Sequence, residues 1–109
     1  MVVYLINQLN TELYKIGVSK NVNNRLLQLQ TGSAVKCQVV KFYETKNAYK
    51  IEKVLHQKYW SMKYDDHDFK TLVGEWFKLD VNIVLNFIND CEFINQNIEF
   101  LKKNDNPFI

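Results

Sequence analysis

Residues 2–6 and 13–18 are short, apolar and rich in β-branched side chains, and a polar, turn-like stretch at 8–11 separates them. Two such segments on either side of so brief a connection pair as an antiparallel hairpin. A lone hairpin is barely stable in water, so the rest of the chain must supply what covers it. The fold therefore starts from a small antiparallel sheet.

The following segments fit that task. Ser19 or Asn21 is placed to cap a helix that runs to about Gln30 and stops at Gly32. Residues 39–43 are strand-like. Thr45 or Asn47 then caps a long helix to about Tyr59. Residues 61–73 are polar and expected as a loop, and 75–79 as a short edge strand. Asp80 caps an apolar helix through Phe87 and Ile88, a further helix runs to about Lys103, and the tail 104–109 with Pro107 frays. The order is ββαβα, then a short strand and C-terminal helices. It predicts an α/β (α+β) fold, a small three-stranded antiparallel sheet flanked by helices. At 109 residues the chain is expected to be one domain with a core that needs no staples. The strands and first helices fill 2–79, a helical closure 80–103, and a tail 104–109.

Several classes are disfavoured. No run of about eighteen apolar residues occurs, so no membrane span is expected. The start Met1-Val2-Val3-Tyr4 carries no basic leader pattern, and the expected location is the cytoplasm of a bacterial or infected host cell. Cys37 and Cys91 resemble no disulfide framework and are expected as buried free thiols. Thirteen of the fourteen basic residues are Lys and Asn is abundant, as in an AT-rich bacterium, its phage or a large virus. Charge is uneven: residues 1–79 hold twelve Lys/Arg against seven Asp/Glu, residues 80–109 two against five. A basic first part suits a polyanionic partner, and the acidic remainder suits packing.

Five positions carry possible chemistry. A symmetric turn centred between Leu9 and Asn10 sets Tyr4 opposite Lys15 on one sheet face. A nearby cation favours phenolate, making Tyr4 a possible base; desolvation would instead make Lys15 the neutral base. The alternative, which the residues alone favour, is a core tyrosine beside a surface lysine. On the first helix Val22, Leu26 and Leu29 form the apolar face, and Arg25 lies at its edge. As the only arginine, it either supplies a fork for a phosphate or snorkels over Leu29. On the second helix Ala48, Ile51, Leu55 and Tyr59 form the apolar face. Glu52 lies at the rim, with His56 one turn on. A rim carboxylate can hold Mg²⁺ with water and phosphate completing the shell, and His56 can orient it or take part in proton transfer; the alternative is a solvated stripe. The run Asp65-Asp66-His67-Asp68 is expected as solvated loop, and Trp76 and Phe77 as core.

Taken together, these residues resemble a known superfamily. Val3-Tyr4-Leu5, Lys15-Ile16-Gly17, Arg25 on the next helix and Glu52 on a later one are similar to the GIY-YIG nucleases. Within that superfamily the chain looks like the phage- and virus-rich, T5orf172-like branch, where the second motif often reads K-I-G. Glu52-Lys53-Val54-Leu55-His56 and Gly74-Glu75-Trp76-Phe77 match the branch's E-x-x-x-H and G-E-W-F segments. The resemblance spans residues 2 to about 79. It departs from the usual first motif at Val2 and Val3, and Lys15 stands at the position of a tyrosine.

The resemblance implies hydrolysis of DNA phosphodiester bonds with one Mg²⁺ or Mn²⁺. Tyr4 would lie near the attacking water, Lys15 beside it, and Gly17 where a side chain would crowd the cleft. Arg25 would steady the phosphoryl group and Glu52 would hold the metal. Tyr4, Lys15, Arg25 and Glu52 are then expected to line one concave, basic surface on the exposed side of the sheet. His56 is a branch-specific histidine of open role. Lys15, Lys20 and Arg25 would contact nucleic acid. With no second reading domain, specificity would come from DNA shape, a homodimer or a partner protein. The alternatives are a non-cleaving nucleic-acid-binding module or a viral accessory interaction protein of the same fold.

Overall fold

The structure, a computed structural model, describes residues 1–31, 34–64 and 76–104. Gly32, the run Asp65-Asp66-His67-Asp68, Gly74-Glu75 and the end of the tail with Pro107 lie outside these residues. The elements are β1 (Val2–Gln8), β2 (Leu13–Ser19), α1 (Val22–Thr31), β3 (Cys37–Glu44), α2 (Ala48–Lys58), a 3₁₀ turn (Trp60–Met62), β4 (Lys63–Tyr64), β5 (Trp76–Lys78), α3 (Val81–Leu85) and α4 (Phe87–Lys103).

Mixed α+β architecture with an antiparallel sheet holds, but among the described residues the sheet has five strands rather than three, in the order β3-β1-β2-β5-β4. The short segment 76–78 is not the edge strand expected of it. It sits between β2 and β4, pairing Leu13 with Lys78 and Tyr14 with Phe77 on one side, and Trp76 with Tyr64 on the other. Part of the polar stretch expected as loop, Lys63–Tyr64, forms the outer strand.

The opening hairpin forms, two residues out of the expected register. Tyr4 lies opposite Gly17, and Lys15 opposite Ile6. The reason is a longer connection. Asn10 adopts the left-handed conformation (φ 62°), which asparagine tolerates, and Thr11 N–H bonds back to Gln8 O at 3.1 Å. Asn7, only 7% exposed, donates its amide to Thr11 O and Leu13 O and braces the loop. A shift of two keeps side-chain parity, so Tyr4 and Lys15 still share a face.

Alternation along β1 divides the core. Tyr4 and Ile6 join Cys37 and Trp76 on one face, covered by Val22, Leu26 and Leu29 of α1. Val3 and Leu5 join Ile16 and Phe77 on the other face, under Ile51 and Leu55 of α2 and Phe87 and Cys91 of α4. Both cysteines are free and buried, one in each of these clusters. Among the described residues no helix is long and apolar enough to cross a membrane.

Two caps follow expectation and one does not. Asn21 Oδ1 accepts from Asn24 N–H at the start of α1, and Asp80 accepts from Ile83 N–H at the start of α3. Asn47 makes no side-chain cap on α2. It is buried, and its amide serves α4 instead, donating to Asn95 Oδ1 (2.9 Å) and Glu99 Oε1 (2.6 Å) and accepting from Lys102. The apolar stretch after Asp80 breaks at Asn86, so α3 ends at Leu85 and α4 begins at Phe87.

Candidate active site

Among the described residues β5 pairs with β2 at Leu13 and Tyr14. Past that point no described strand covers the outer edge of β2, and the helices from the two sheet faces lean over it. α1 brings Arg25 from one face and α2 brings Glu52 and His56 from the other. Between them is a cavity of about 270 Å³ lined by Tyr4, Lys15, Ile16, Gly17, Val18, Arg25, Tyr49, Glu52 and His56.

The structure thus brings Tyr4, Lys15, Arg25, Glu52 and His56 into one cleft, and corrects where that cleft lies. It opens at the edge of β2, not on an exposed sheet face, because helices cover both faces. Tyr4 and Lys15 form its floor, 1% and 8% exposed, so Lys15 is not a surface lysine. Lys20 is exposed on the connection to α1 and does not line the cavity.

Gly17 is needed because the Tyr4 ring lies across it. A Cβ at Gly17 would overlap the Tyr4 phenol oxygen and Cζ. The phenol oxygen accepts from Arg25 Nε at 3.4 Å, and Arg25 Nη1 donates to Gln28 Oε1 at 3.2 Å. Arg25 therefore crosses from the edge of α1 to the buried tyrosine and does not snorkel over Leu29. The Lys15 ammonium stands 5.9 Å from the centroid of the Trp76 ring, whose face attracts a cation. Trp76 and Phe77 are core, 4% and 0% exposed. Trp76 thus also reaches the site, a contact that no local sequence pattern announces.

His56 Nε2 lies 2.8 Å from Ile16 O. A carbonyl oxygen only accepts, so this ring nitrogen carries the proton and donates. The ring stands edge-on to Phe77 with centroids 5.1 Å apart, and Nε2 lies 3.8 Å from Glu52 Oε1. His56 ties α2 to β2 and fixes the height at which Glu52 enters the cleft.

Among the described residues no group of three or more His, Cys, Asp or Glu converges as a metal cage. The donors present fit a different kind of ion. Glu52 offers one partly exposed carboxylate to a cleft with open volume, and His56 Nε2 is committed to Ile16. That set suits a hard cation such as Mg²⁺, which keeps most of its shell as water and phosphate oxygens. It does not suit Zn²⁺, which requires three or four protein ligands.

A family model described as the T5orf172 domain matches residues 1–92. Neither the curated proteins nor the solved structures return a match.

Proposed function

The chain belongs to the T5orf172 domain family, and from that premise and the cleft at the β2 edge we propose that it is a metal-dependent endonuclease hydrolysing DNA phosphodiester bonds. Family membership supports a nuclease-related or nucleic-acid-associated role. The finer reading rests on one observation: Tyr4, Lys15, Arg25, Glu52 and His56 line a single cavity although they come from four separate elements.

Hydrolysis needs an attacking water, a neutralised phosphoryl group and a stabilised leaving oxygen. Tyr4 is placed to take the proton of the attacking water, its oxygen already engaged by Arg25. Lys15, held against the Trp76 face, contributes positive charge beside it. The outer nitrogens of the Arg25 fork can grip a non-bridging phosphate oxygen as charge builds there. Water adds to phosphorus, the bond to one bridging oxygen breaks, and that oxygen leaves with a proton from solvent. Glu52 would hold Mg²⁺ or Mn²⁺, which when bound supplies charge neutralisation at the phosphate. His56 positions Glu52 through its bond to Ile16 O and touches no reacting atom.

A nicking assay on supercoiled plasmid and on single-stranded circular DNA with Mg²⁺ or Mn²⁺, run beside a DNA-binding titration at fixed salt, tests this reading. Glu52→Gln should lower cutting ten-fold or more while binding persists or tightens, because a negative charge leaves a surface that meets phosphate. Arg25→Lys should also lose about ten-fold or more, since an ammonium cannot reproduce the fork. Glu92→Gln, exposed on α4, should cut like wild type. Wild type that cuts no DNA with either metal overturns the nuclease reading. DNA binding without cutting would then leave the binding-module alternative.

A further inference from the structure

Tyr49 stands on α2 one turn before Glu52 and lines the same cavity, yet 68% of it is exposed. Its neighbours Ala48 and Ile51 are 1% and 0% exposed, so the helix is firmly seated and its phase holds Tyr49 outside. A large aromatic ring contributes to a fold by being buried. This ring instead stands at the mouth of a cleft whose floor is Tyr4 and Lys15. Lys53, exposed one turn further on, adds positive charge to the same side of the helix.

Resting on the nuclease reading, we propose that Tyr49 is a stacking platform for an unpaired nucleobase beside the scissile phosphate, and that the substrate is single-stranded or frayed at the cut. Positions three apart on a helix hold their Cβ atoms about 5–6 Å from one another. A stacked strand advances about 3.4 Å per nucleotide. A phosphate held between Arg25 and Glu52 therefore brings a base within one or two nucleotides to Tyr49. In an intact duplex both faces of that base are covered by its neighbours, and extracting it costs unstacking and unpairing. An unpaired base meets an open aromatic ring without that cost. The burial of Tyr4 and Lys15 points the same way. The phosphate must enter a narrow cleft between two helices, and a single strand enters it more readily than a duplex.

The test is a binding titration at fixed salt, with Ca²⁺ replacing Mg²⁺, on a short DNA strand carrying 2-aminopurine and on the same strand annealed to its complement. Tyr49→Ala should weaken binding of the single strand about ten-fold or more and abolish the quenching of 2-aminopurine, and should move duplex binding less than about two-fold. Tyr49→Phe should keep single-strand binding within about two-fold, because the ring and not the hydroxyl carries the contact. Phe93→Ala removes an equally exposed ring (66%) on α4, outside the cavity, and should change neither. Thermal unfolding of each variant checks that the fold is intact. If Tyr49→Ala binds the single strand like wild type, or loses both forms equally, the stacking assignment fails. That failure is separable from failure of the nuclease reading, which the nicking assay decides. Cutting without the Tyr49 pattern overturns this inference alone, and the Tyr49 pattern without cutting overturns cleavage alone. Wild type that binds neither form overturns both.

Discussion

The contact between Gly17 and the Tyr4 ring shows how one residue sets the geometry of the site. Residue 17 sits directly across from Tyr4 in the hairpin, and the ring occupies the volume a Cβ would need. Gly17→Ala must push the ring aside, and the collision involves a 1%-exposed side chain with little room to yield. Overpacking of this kind costs about 1–3 kcal/mol. If the ring is the cause, Tyr4→Ala should relieve it. In a double-mutant cycle by denaturant unfolding, Gly17→Ala should therefore cost clearly less in the Tyr4→Ala background than in wild type. Equal costs in both backgrounds would mean that Gly17 is required for its backbone and not for the ring.

At the scale of elements, α2 is tied at both ends. Near its start, Asn47 spends its amide on α4, where Glu99 accepts from it. That hydrogen bond, with Lys46 and Lys102 nearby, holds the half-buried Glu99 carboxyl below its ordinary range. At its end, Tyr59 donates to Asp90 Oδ2 at 2.5 Å, and Lys58 stands 3.4 Å from the same oxygen. Burial, then the bond to Asp90, raises the Tyr59 phenol above its ordinary value of 10.0. The folded state thus prefers the neutral phenol more than the unfolded chain does. Its contribution is fully present below pH 10 and is lost as pH climbs past that value toward the raised one. Stability of wild type measured by denaturant should fall from pH 10 upward, and Tyr59→Phe should fall less steeply. Tyr59→Phe should itself cost about 1 kcal/mol at pH 7 from the lost hydrogen bond. Parallel alkaline slopes in the two proteins would show that Tyr59 does not carry the effect.

On the scale of the whole molecule, the sheet separates two apolar clusters, and each holds one cysteine. Cys91 is fully buried on the inner face of α4, and burial, then Asp90 and Glu92, pushes its thiol up to about 12. Thiol reagents attack the thiolate, so Cys91 lacks both access and the reactive form. Titration of the native protein with an aromatic disulfide reagent at pH 8 should leave Cys91 unmodified, and both thiols should react in denaturant. With Cys37 on the other face of the sheet, oxidation should give no intramolecular disulfide in the folded state. Fast modification of Cys91 under native conditions would mean that the α4 side of the core opens readily.

Much of this arrangement was legible in local patterns. Two β-branched segments around a polar turn fixed the hairpin. The apolar spacing of Val22, Leu26 and Leu29, and of Ala48, Ile51, Leu55 and Tyr59, fixed which faces of α1 and α2 turn inward. That spacing also put Arg25 and Glu52 at the rims. Helix phase and strand parity are short-range properties, which is why a register error of two left Tyr4 and Lys15 on a common face. Other features required the folded chain. Nothing near Trp76 announces that it will pair between β2 and β4 and present its ring to Lys15. Asn47 looks like a cap, and only the arrival of α4 diverts its amide. The hydrogen bond from His56 on α2 to Ile16 O on β2, which joins residues forty positions apart, belongs to no segment's own pattern. The sequence by itself determined the elements and their inward faces, because periodicity and capping act over a few residues. Where the cleft opens depended on which strands and helices lie side by side, and contacts between residues far apart in the chain decide that.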